Sequence, residues 1–461
     1  MDPAAPALTL RPALDSPERP DWDGAVWTGE VWVDAIEDAD RSGRATGIPV
    51  RCRLADAEGY GRARLLVRAE GRPLGFVEIE VSEGSVNFGE LRRRVAGLRV
   101  TESDRPVQAG PARVAEGKAV PVTVVVCTRD RVSMLRAALR SVLAVDYPSF
   151  DVLVVDNAPR TDATRQYVLG LADPRVRLIR EPLPGLSRAR NTGLSAATGD
   201  IVAYTDDDVV VDRHWLSALV EGFRRGPSVS CVSGMVPAGE IRTPAQAYFD
   251  RRVGWSDSTD ARIFEWAKPP DDVPLFPFTV RCYGTGANFA VERDVVRRLG
   301  GFDEALGAGA PTGGGEDIDM FFRILRSGRQ LVHDPAAIVW HRHRSDSEGL
   351  LVQSRGYGLG LGAWLTKIAG DRKMATLAAT TAARRGGALV RHLRSSSKET
   401  APPADLAGLL PPGIGSTTVR SIVKGPWAYR QARREGRAAA PLREQQAPRS
   451  TAVPHHPMVE P

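Results

Sequence analysis

Cysteine is scarce in this chain, and no two cysteines lie close together in the sequence. The 461 residues contain four, at Cys52, Cys127, Cys231 and Cys282, and none belongs to a CxxC pair. This spacing argues against a disulfide framework and against a cysteine-rich zinc site. It predicts reduced, mostly buried thiols in a cytoplasmic protein.

Long apolar runs are also missing. No stretch reaches the roughly 18 apolar residues that a membrane-spanning helix needs. The first residues lack the cationic start and apolar core of a secretory signal. Any membrane contact is therefore expected to be peripheral, at the inner face of the cell membrane.

Positive charge is in modest excess, with a net charge of +6 that is concentrated in the Arg-rich C-terminal third. Such a surface can meet anionic lipid, an acidic acceptor or nucleic acid. No nucleic-acid-reading motif accompanies the charge, so nucleic acid is not expected as a partner. Peripheral membrane contact through the basic C-terminal extension is the remaining expectation, with core packing of residues 363–395 as its alternative.

Composition and hydropathy divide the chain into six segments. They are a disordered N-terminus (1–22), a small antiparallel β-rich module (23–100), a linker (101–120), an α/β domain (121–345), a helical, basic C-terminal extension (346–436) and a disordered tail (437–461). No catalytic constellation lies in the β-rich module. Structural support, dimerisation and acceptor recognition all remain open for it.

The α/β domain alternates strands with helices. Apolar runs at residues 122–127, 150–155, 175–179 and 201–204 predict buried strands, and the segments between the runs have helical spacing. This alternation predicts a mostly parallel sheet wound from βαβ units. Ligands of such sheets bind beyond the carboxyl ends of the strands.

Three adjacent carboxylates, Asp206, Asp207 and Asp208, follow the strand at 201–204. Like charges at this spacing repel one another, and a divalent cation relieves the repulsion. Mg²⁺ and Mn²⁺ prefer carboxylate oxygens and bridge them to substrate phosphates. A solvated acidic turn is the alternative interpretation of these three residues taken alone.

The order and spacing of VTVVVCTRDR, DVLVVDN and LSRARNTGLSAATGDIVAYTDDDV resemble the nucleotide-sugar half of a family 2 glycosyltransferase of the GT-A fold. The resemblance covers about residues 121–344. It implies a Rossmann-like domain that transfers a sugar, with inversion and with Mn²⁺ or Mg²⁺, from a UDP-, GDP- or dTDP-linked donor. The expected acceptor is the hydroxyl of a glycan, a lipid-linked molecule or a small molecule, in cell-envelope, glycolipid or secondary-metabolite glycosylation.

The resemblance also implies roles for individual residues on the donor side. Asp206 and Asp208 match the DXD motif that holds the metal, and Asp207 would contact the donor sugar. His341 is a candidate third ligand at the end of a later strand, with His343 on the same face. The nucleotide-sugar contacts implied elsewhere are Thr128, Arg131, Asp156 and the pair Arg190 and Asn191.

A glycine run precedes the acidic pair Glu316 and Asp317 at the start of a predicted helix. Flexible glycines suggest a loop that closes over substrate. In similar enzymes the second residue of this pair is the general base, so Asp317 is assigned that role and Glu316 is the alternative. The alternative interpretation of this acidic pair is structural: one of the carboxylates caps an ordinary helix.

Two other functions fit part of the pattern. A sugar nucleotidyltransferase also uses a metal on an α/β sheet, but the loop TRDR lacks the glycines of its phosphate loop. A non-catalytic nucleotide-sugar or glycan-binding protein would not require a base. The absence of a QxxRW signature and of membrane spans favours a non-processive enzyme.

Overall fold

The computed structural model describes residues 7–16, 18–98, 119–387 and 402–446, with only the backbone described from 437 onward. Nearly all of the predicted linker at 101–120 lies outside these residues, as do residues 447–461. We describe the chain as an N-terminal module (residues 7–98), the α/β domain and the C-terminal helices.

The N-terminal module contains six strands and two helices. In chain order they are β1 (Ala7–Leu10), β2 (Val26–Trp32), α1 (Val33–Thr46), β3 (Arg51–Leu54), β4 (Arg62–Ala69), β5 (Arg72–Glu80), β6 (Ser85–Val86) and α2 (Phe88–Ala96). The strands form two three-stranded sheets with the orders β1-β3-β6 and β2-β4-β5.

Two expectations for this region are wrong. The module is not purely antiparallel, because β1 pairs with β3 and β2 pairs with β4 in parallel. Helix α1, which the sequence did not predict, makes the crossover that a parallel pair requires. The predicted disordered N-terminus at 1–22 also contains β1, where Leu10 is buried, and Leu14 is buried just beyond it.

The α/β domain has nine strands and seven helices. In chain order they are β7 (Val122–Thr128), α3 (Val132–Leu143), β8 (Phe150–Asn157), α4 (Ala163–Gly170), β9 (Val176–Glu181), α5 (Leu186–Ala196), β10 (Ile201–Thr205), β11 (Val209–Val211), α6 (Trp215–Gly222), β12 (Val229–Met235), α7 (Pro244–Val253), β13 (Arg262–Glu265), β14 (Asn288–Glu292), α8 (Arg293–Arg298), α9 (Glu316–Arg326) and β15 (Gln330–His341).

These strands form one sheet with the order β11-β15-β12-β14-β10-β7-β8-β9, and β13 pairs with β15. The pairs among β9, β8, β7 and β10 are parallel. Strand β14 runs antiparallel between β10 and β12. Most strands therefore run in one direction, and the predicted α/β class with a mostly parallel sheet is confirmed.

The described C-terminal residues form three helices, α10 (Ser347–Gly370), α11 (Arg372–Arg384) and α12 (Ile414–Gln446). Helices α10 and α12 pack closely at glycines, because a Cβ atom on Gly362 would lie 2.1 Å from the carbonyl oxygen of Ile422. Helix α12 continues to Gln446, beyond residue 436, where the helical extension was predicted to end. Among the described helices, none is both long and apolar enough to cross a bilayer.

The N-terminal module packs directly on the α/β domain. Arg68 of β4 is fully buried and contacts Asp212 at 2.5 Å and Glu30 at 2.9 Å. Leu66 of the same strand joins Ile338 and Trp340 of β15 in one apolar cluster. The strand that carries His341 is therefore supported from the side by the module.

We expect His333 in β15 to make the protein sensitive to mild acid. Burial lowers the pKa of this imidazole from its ordinary value of 6.5 to about 4. Between pH 6.5 and about 4 the unfolded chain therefore binds more protons at His333 than the folded chain does. The contribution of the neutral, buried His333 to stability is fully present above pH 6.5 and is lost as the pH falls toward 4. Between about pH 7 and about pH 5, the free energy of unfolding measured with urea should fall by about 2 kcal/mol more in wild type than in His333→Gln. Equal losses in the two proteins would contradict the prediction.

Candidate active site

A cavity of about 1000 Å³ lies at the carboxyl ends of the central strands. Its wall includes the ends of β7 and β10, the start of α9, the end of β15 and the first half of α10. Most of the residues predicted for the site line it: Thr128, Arg131, Arg190, Asp206, Asp207, Asp208, Glu316, Asp317 and His341. Residues that are more than 200 positions apart in the sequence, such as Thr128 and His341, thus meet in one cavity.

The predicted metal ligands come together because of strand pairing. Strand β11 runs antiparallel to β15 with Val209 opposite His341, which places the preceding Asp208 beside the imidazole. Each of Asp206, Asp208 and His341 offers a ligand atom within 4.8 Å of the others. Two carboxylates and an imidazole suit a divalent ion such as Mn²⁺ or Mg²⁺.

Arg131 neutralises two carboxylates of the acidic turn. Its guanidinium lies 2.8 Å from Asp207 and 2.5 Å from Asp208. Burial alone would raise the pKa of Asp208, but His341 and Arg131 overcome it and hold that pKa well below its usual range. Burial raises the pKa of Asp207 to about 7, although Thr128 donates a hydrogen bond of 2.7 Å to this carboxylate.

A chain of buried polar side chains supports His341. Its Nε2 atom faces Asp208 at 3.4 Å, and its Nδ1 atom lies 3.0 Å from Nδ1 of His343. One imidazole N–H must therefore donate to the other ring. On its far side His343 lies 3.8 Å from Asp250, which Arg64 of the N-terminal module contacts at 2.6 Å. The spacing of His341 and His343 predicts that they share a face, but no local pattern in the sequence indicates Asp250 or Arg64, which are 186 residues apart.

On the donor side, Thr128 and Asp156 are register partners at the ends of β7 and β8. Asp156 is buried, and its Oδ1 atom has no hydrogen-bond partner among the described residues. Burial also raises its pKa. The next residue, Asn157, lines the cavity, and Asp156 is adjacent to it in β8.

The predicted pair Arg190 and Asn191 separates into two environments. Arg190 is buried, donates to Glu316 and to the Gly286 carbonyl at 2.9 Å each, and lies 3.8 Å from Asp206. Asn191 is not brought to the cavity. Its amide instead donates to the Phe302 carbonyl and accepts from the Phe302 N–H. The donor contact of Asn191 stays a prediction.

The two acidic residues at the start of α9 also differ. Asp317 lines the cavity and accepts a hydrogen bond of 2.8 Å from the Gly286 N–H. Glu316 is buried against Arg190, and burial together with Asp317 raises its pKa to about 7. Of the two, Asp317 is the more accessible to a second substrate.

The glycine run before α9 has a packing reason that the sequence did not reveal. Gly315 has a left-handed φ of 94°, and a Cβ atom there would lie 2.8 Å from the carbonyl oxygen of Gly360 in α10. The residues facing it belong to the glycine-rich stretch QSRGYGLGLG. Both glycine stretches therefore allow the loop and α10 to approach backbone to backbone, beside the cavity.

Aromatic residues that the sequence could not rank also reach the cavity wall. Phe249, Trp255 and Tyr357 line it together with Arg252. Tyr357 is 38% exposed, and the neighbouring Val352 is 64% exposed. This part of the wall is apolar and open, unlike the charged floor at the acidic turn.

Residues 123–300 match the profile described as "Glycosyl transferase family 2". The predicted resemblance to family 2 glycosyltransferases is therefore confirmed for these residues.

Among its relatives is the pre-mycofactocin glycosyltransferase of Mycobacterium tuberculosis, which is 30% identical over 239 residues. That match covers 51% of this chain and 46% of the relative, so the chain spans less than half of that protein's length. The glucosyl-dolichyl phosphate glucuronosyltransferase of Haloferax volcanii is 28% identical over 267 residues, which cover 56% of this chain and 82% of the relative.

Solved structures also resemble the chain. The mannosyltransferase PcManGT from Pyrobaculum calidifontis, in complex with GDP-Man and Mn2+, is 22% identical with a TM-score of 0.45. The superposition covers 70% of this chain and 92% of that one.

Proposed function

We propose that this protein transfers a sugar from a nucleoside-diphosphate sugar to an acceptor hydroxyl, with inversion at the anomeric carbon. One observation carries the proposal. A single cavity holds both an Asp–Asp–His cluster and a separate accessible carboxylate, Asp317. A binding protein has no need of the second group.

Asp206, Asp208 and His341 are the residues that would hold Mn²⁺ or Mg²⁺. The bound cation supplies positive charge beside the diphosphate leaving group. The hydrogen-bonded pair of imidazoles orients His341 toward this position, as outer-shell partners of metal ligands commonly do.

The donor nucleoside is proposed to bind beside β7 and β8. Thr128, Arg131 and Asp207 lie on the cavity wall there, and Arg190 lines it 3.8 Å from Asp206. The unpartnered Oδ1 atom of Asp156 is an acceptor suited to the N–H groups of a nucleobase. The donor is a UDP-, GDP- or dTDP-linked sugar.

Asp317 is proposed as the general base. The Gly286 N–H fixes one of its oxygens, and its position on the wall lets an acceptor hydroxyl approach the carboxylate. Removing the hydroxyl proton at Asp317 prepares that oxygen for direct displacement. Glu316 is less suited because Arg190 already occupies its Oε1 atom at 2.9 Å.

For the acceptor we propose a glycan, a lipid-linked molecule or a small molecule in non-processive transfer. The name of one relative, glucosyl-dolichyl phosphate glucuronosyltransferase, supports a lipid-linked acceptor with an apolar part. Phe249, Trp255 and Tyr357 provide a matching apolar wall. A cytoplasmic protein with peripheral membrane contact would meet such acceptors.

Thermal stabilisation and donor hydrolysis test the proposal directly. UDP-, GDP- and dTDP-sugars are each added with and without Mn²⁺. One nucleotide class is expected to raise the melting temperature in a Mn²⁺-dependent way and to be hydrolysed slowly. If none of the three classes shifts the melting temperature or is hydrolysed, the proposed donor site is wrong.

A further inference from the structure

We propose that the outer face of α12 docks on a lipid bilayer with anionic headgroups. We define this face as the side chains of Val419, Arg420, Val423, Lys424, Trp427, Arg430 and Arg434. The proposal goes beyond sugar transfer and does not depend on it, because the docking concerns a surface outside the cavity.

The apolar part of the face is unusually exposed. Val419, Val423 and Trp427 recur every four residues and are 52%, 78% and 71% exposed. Val423 and Trp427 are the two most exposed large apolar side chains among the described residues. Moving such an apolar side chain from water into a bilayer interface lowers the free energy.

The charges on the same face have one sign. At 100° per residue, all seven side chains fall within an arc of about 140° on the helix. Arg420, Lys424, Arg430 and Arg434 are exposed, and no acidic residue occurs between Ile414 and Arg434. None of these four cations forms a salt bridge with the described part of the chain. Apolar and basic side chains on one face are typical of helices that lie at an anionic membrane surface.

The opposite face of α12 is committed to the protein core. Ile414, Ser421 and Ala428 are buried, and a Cβ atom on Gly425 would lie 2.3 Å from the backbone of Gly362 in α10. The outer face is therefore held rigidly and faces away from the packed side. Its residues are not needed for the contact between α10 and α12.

The face begins beside the cavity. Thr418, the residue before Val419, accepts a hydrogen bond of 2.6 Å from Arg252, which lines the cavity wall. The exposed Val352 and Tyr357 of α10 line that wall as well. A bilayer under α12 would thus lie close to the apolar side of the cavity, where an acceptor carried in the membrane could enter.

The test is co-sedimentation with vesicles, with the full chain and no donor or metal present. We expect binding to vesicles of phosphatidylcholine with 30–40% phosphatidylglycerol and roughly tenfold weaker binding to phosphatidylcholine alone. Binding should fall at high salt. The fluorescence of wild type should shift to the blue on binding, and the shift should be smaller in Trp427→Phe.

Two double variants separate the contributions. Val423→Ala with Trp427→Ala removes apolar contact, and Arg420→Gln with Lys424→Gln removes two charges; each should weaken vesicle binding about tenfold or more. The matched control is Leu169→Asp with Arg213→Glu, which alters an exposed leucine (62%) and an exposed arginine (72%) elsewhere on the surface. Circular dichroism checks that all variants are folded.

Equal binding by wild type and both α12 variants would overturn the proposal, as would no binding of wild type to anionic vesicles. A concentration-dependent dimer that the apolar double variant abolishes would show instead that a second copy of the chain covers this face. Donor hydrolysis without vesicles should be unchanged in these variants. If wild type does not hydrolyse any donor, this result would count against the proposed transfer reaction and not against docking.

Discussion

Asp317→Asn is expected to lower the rate of sugar transfer by roughly 10²- to 10⁴-fold, the usual contribution of a positioned general base. An amide cannot accept the acceptor's proton, but it can keep one hydrogen bond with the Gly286 N–H, so the local structure should persist. The dissociation constant of the donor, measured by calorimetry with Mn²⁺, should change little. Transfer is measured in a single-turnover assay with the donor class that the thermal test identifies.

Glu316→Gln serves as the comparison variant. It removes the nearer of the two carboxylates that face the buried guanidinium of Arg190, and breaking such a buried pair typically costs about 3–5 kcal/mol. We therefore expect a lower melting temperature in Glu316→Gln and a smaller effect on transfer in the protein that remains folded. Wild-type transfer in Asp317→Asn together with complete loss in Glu316→Gln would move the base assignment to Glu316.

The second large effect is expected at the metal cluster. Asp208→Ala removes one metal ligand and also the carboxylate that faces His341 and Arg131. The affinity for Mn²⁺ should therefore fall about 100-fold or more, since changes to residues outside the ligand shell already cost about 10- to 100-fold. Donor affinity should then lose its dependence on Mn²⁺. Electron paramagnetic resonance of free Mn²⁺ measures the first effect without any turnover.

Asp346→Asn is the control for this experiment. Asp346 also lines the cavity, but its carboxylate caps α10 by accepting from the Gly349 N–H at 2.7 Å, and asparagine can do the same. This variant should bind Mn²⁺ as wild type does. Unchanged Mn²⁺ affinity in Asp208→Ala would mean that the ion, if bound, lies elsewhere.

Local patterns carried most of what the sequence could predict. The apolar run before Asp206 had the length and composition of a buried strand, and a carboxylate cluster at a strand end needs no knowledge of distant residues. The same holds for Glu316 and Asp317 at a helix start. Where short-range spacing determines a structure, the residues themselves are sufficient.

The remaining features depend on contacts between distant parts of the chain. The antiparallel insertion of β14 between β10 and β12 cannot be deduced from β14, whose apolar residues fit either direction. The crossover helix α1 was missed because its start, Val33 to Ile36, continues the apolar alternation of β2. Asn191 stands beside Arg190 in sequence, yet the helix turns its amide toward Phe302.

The buried pair between Arg68 and Asp212 has a practical consequence for how the protein can be produced. A chain that began at the linker would keep Asp212 but lose its counter-charge, and it would expose the apolar side of Trp340 to water. The first change removes a stabilising ion pair, and the exposed apolar surface favours aggregation. The α/β domain thus depends on the N-terminal module for its stability, and we expect the domain to be insoluble or misfolded when it is expressed without the module.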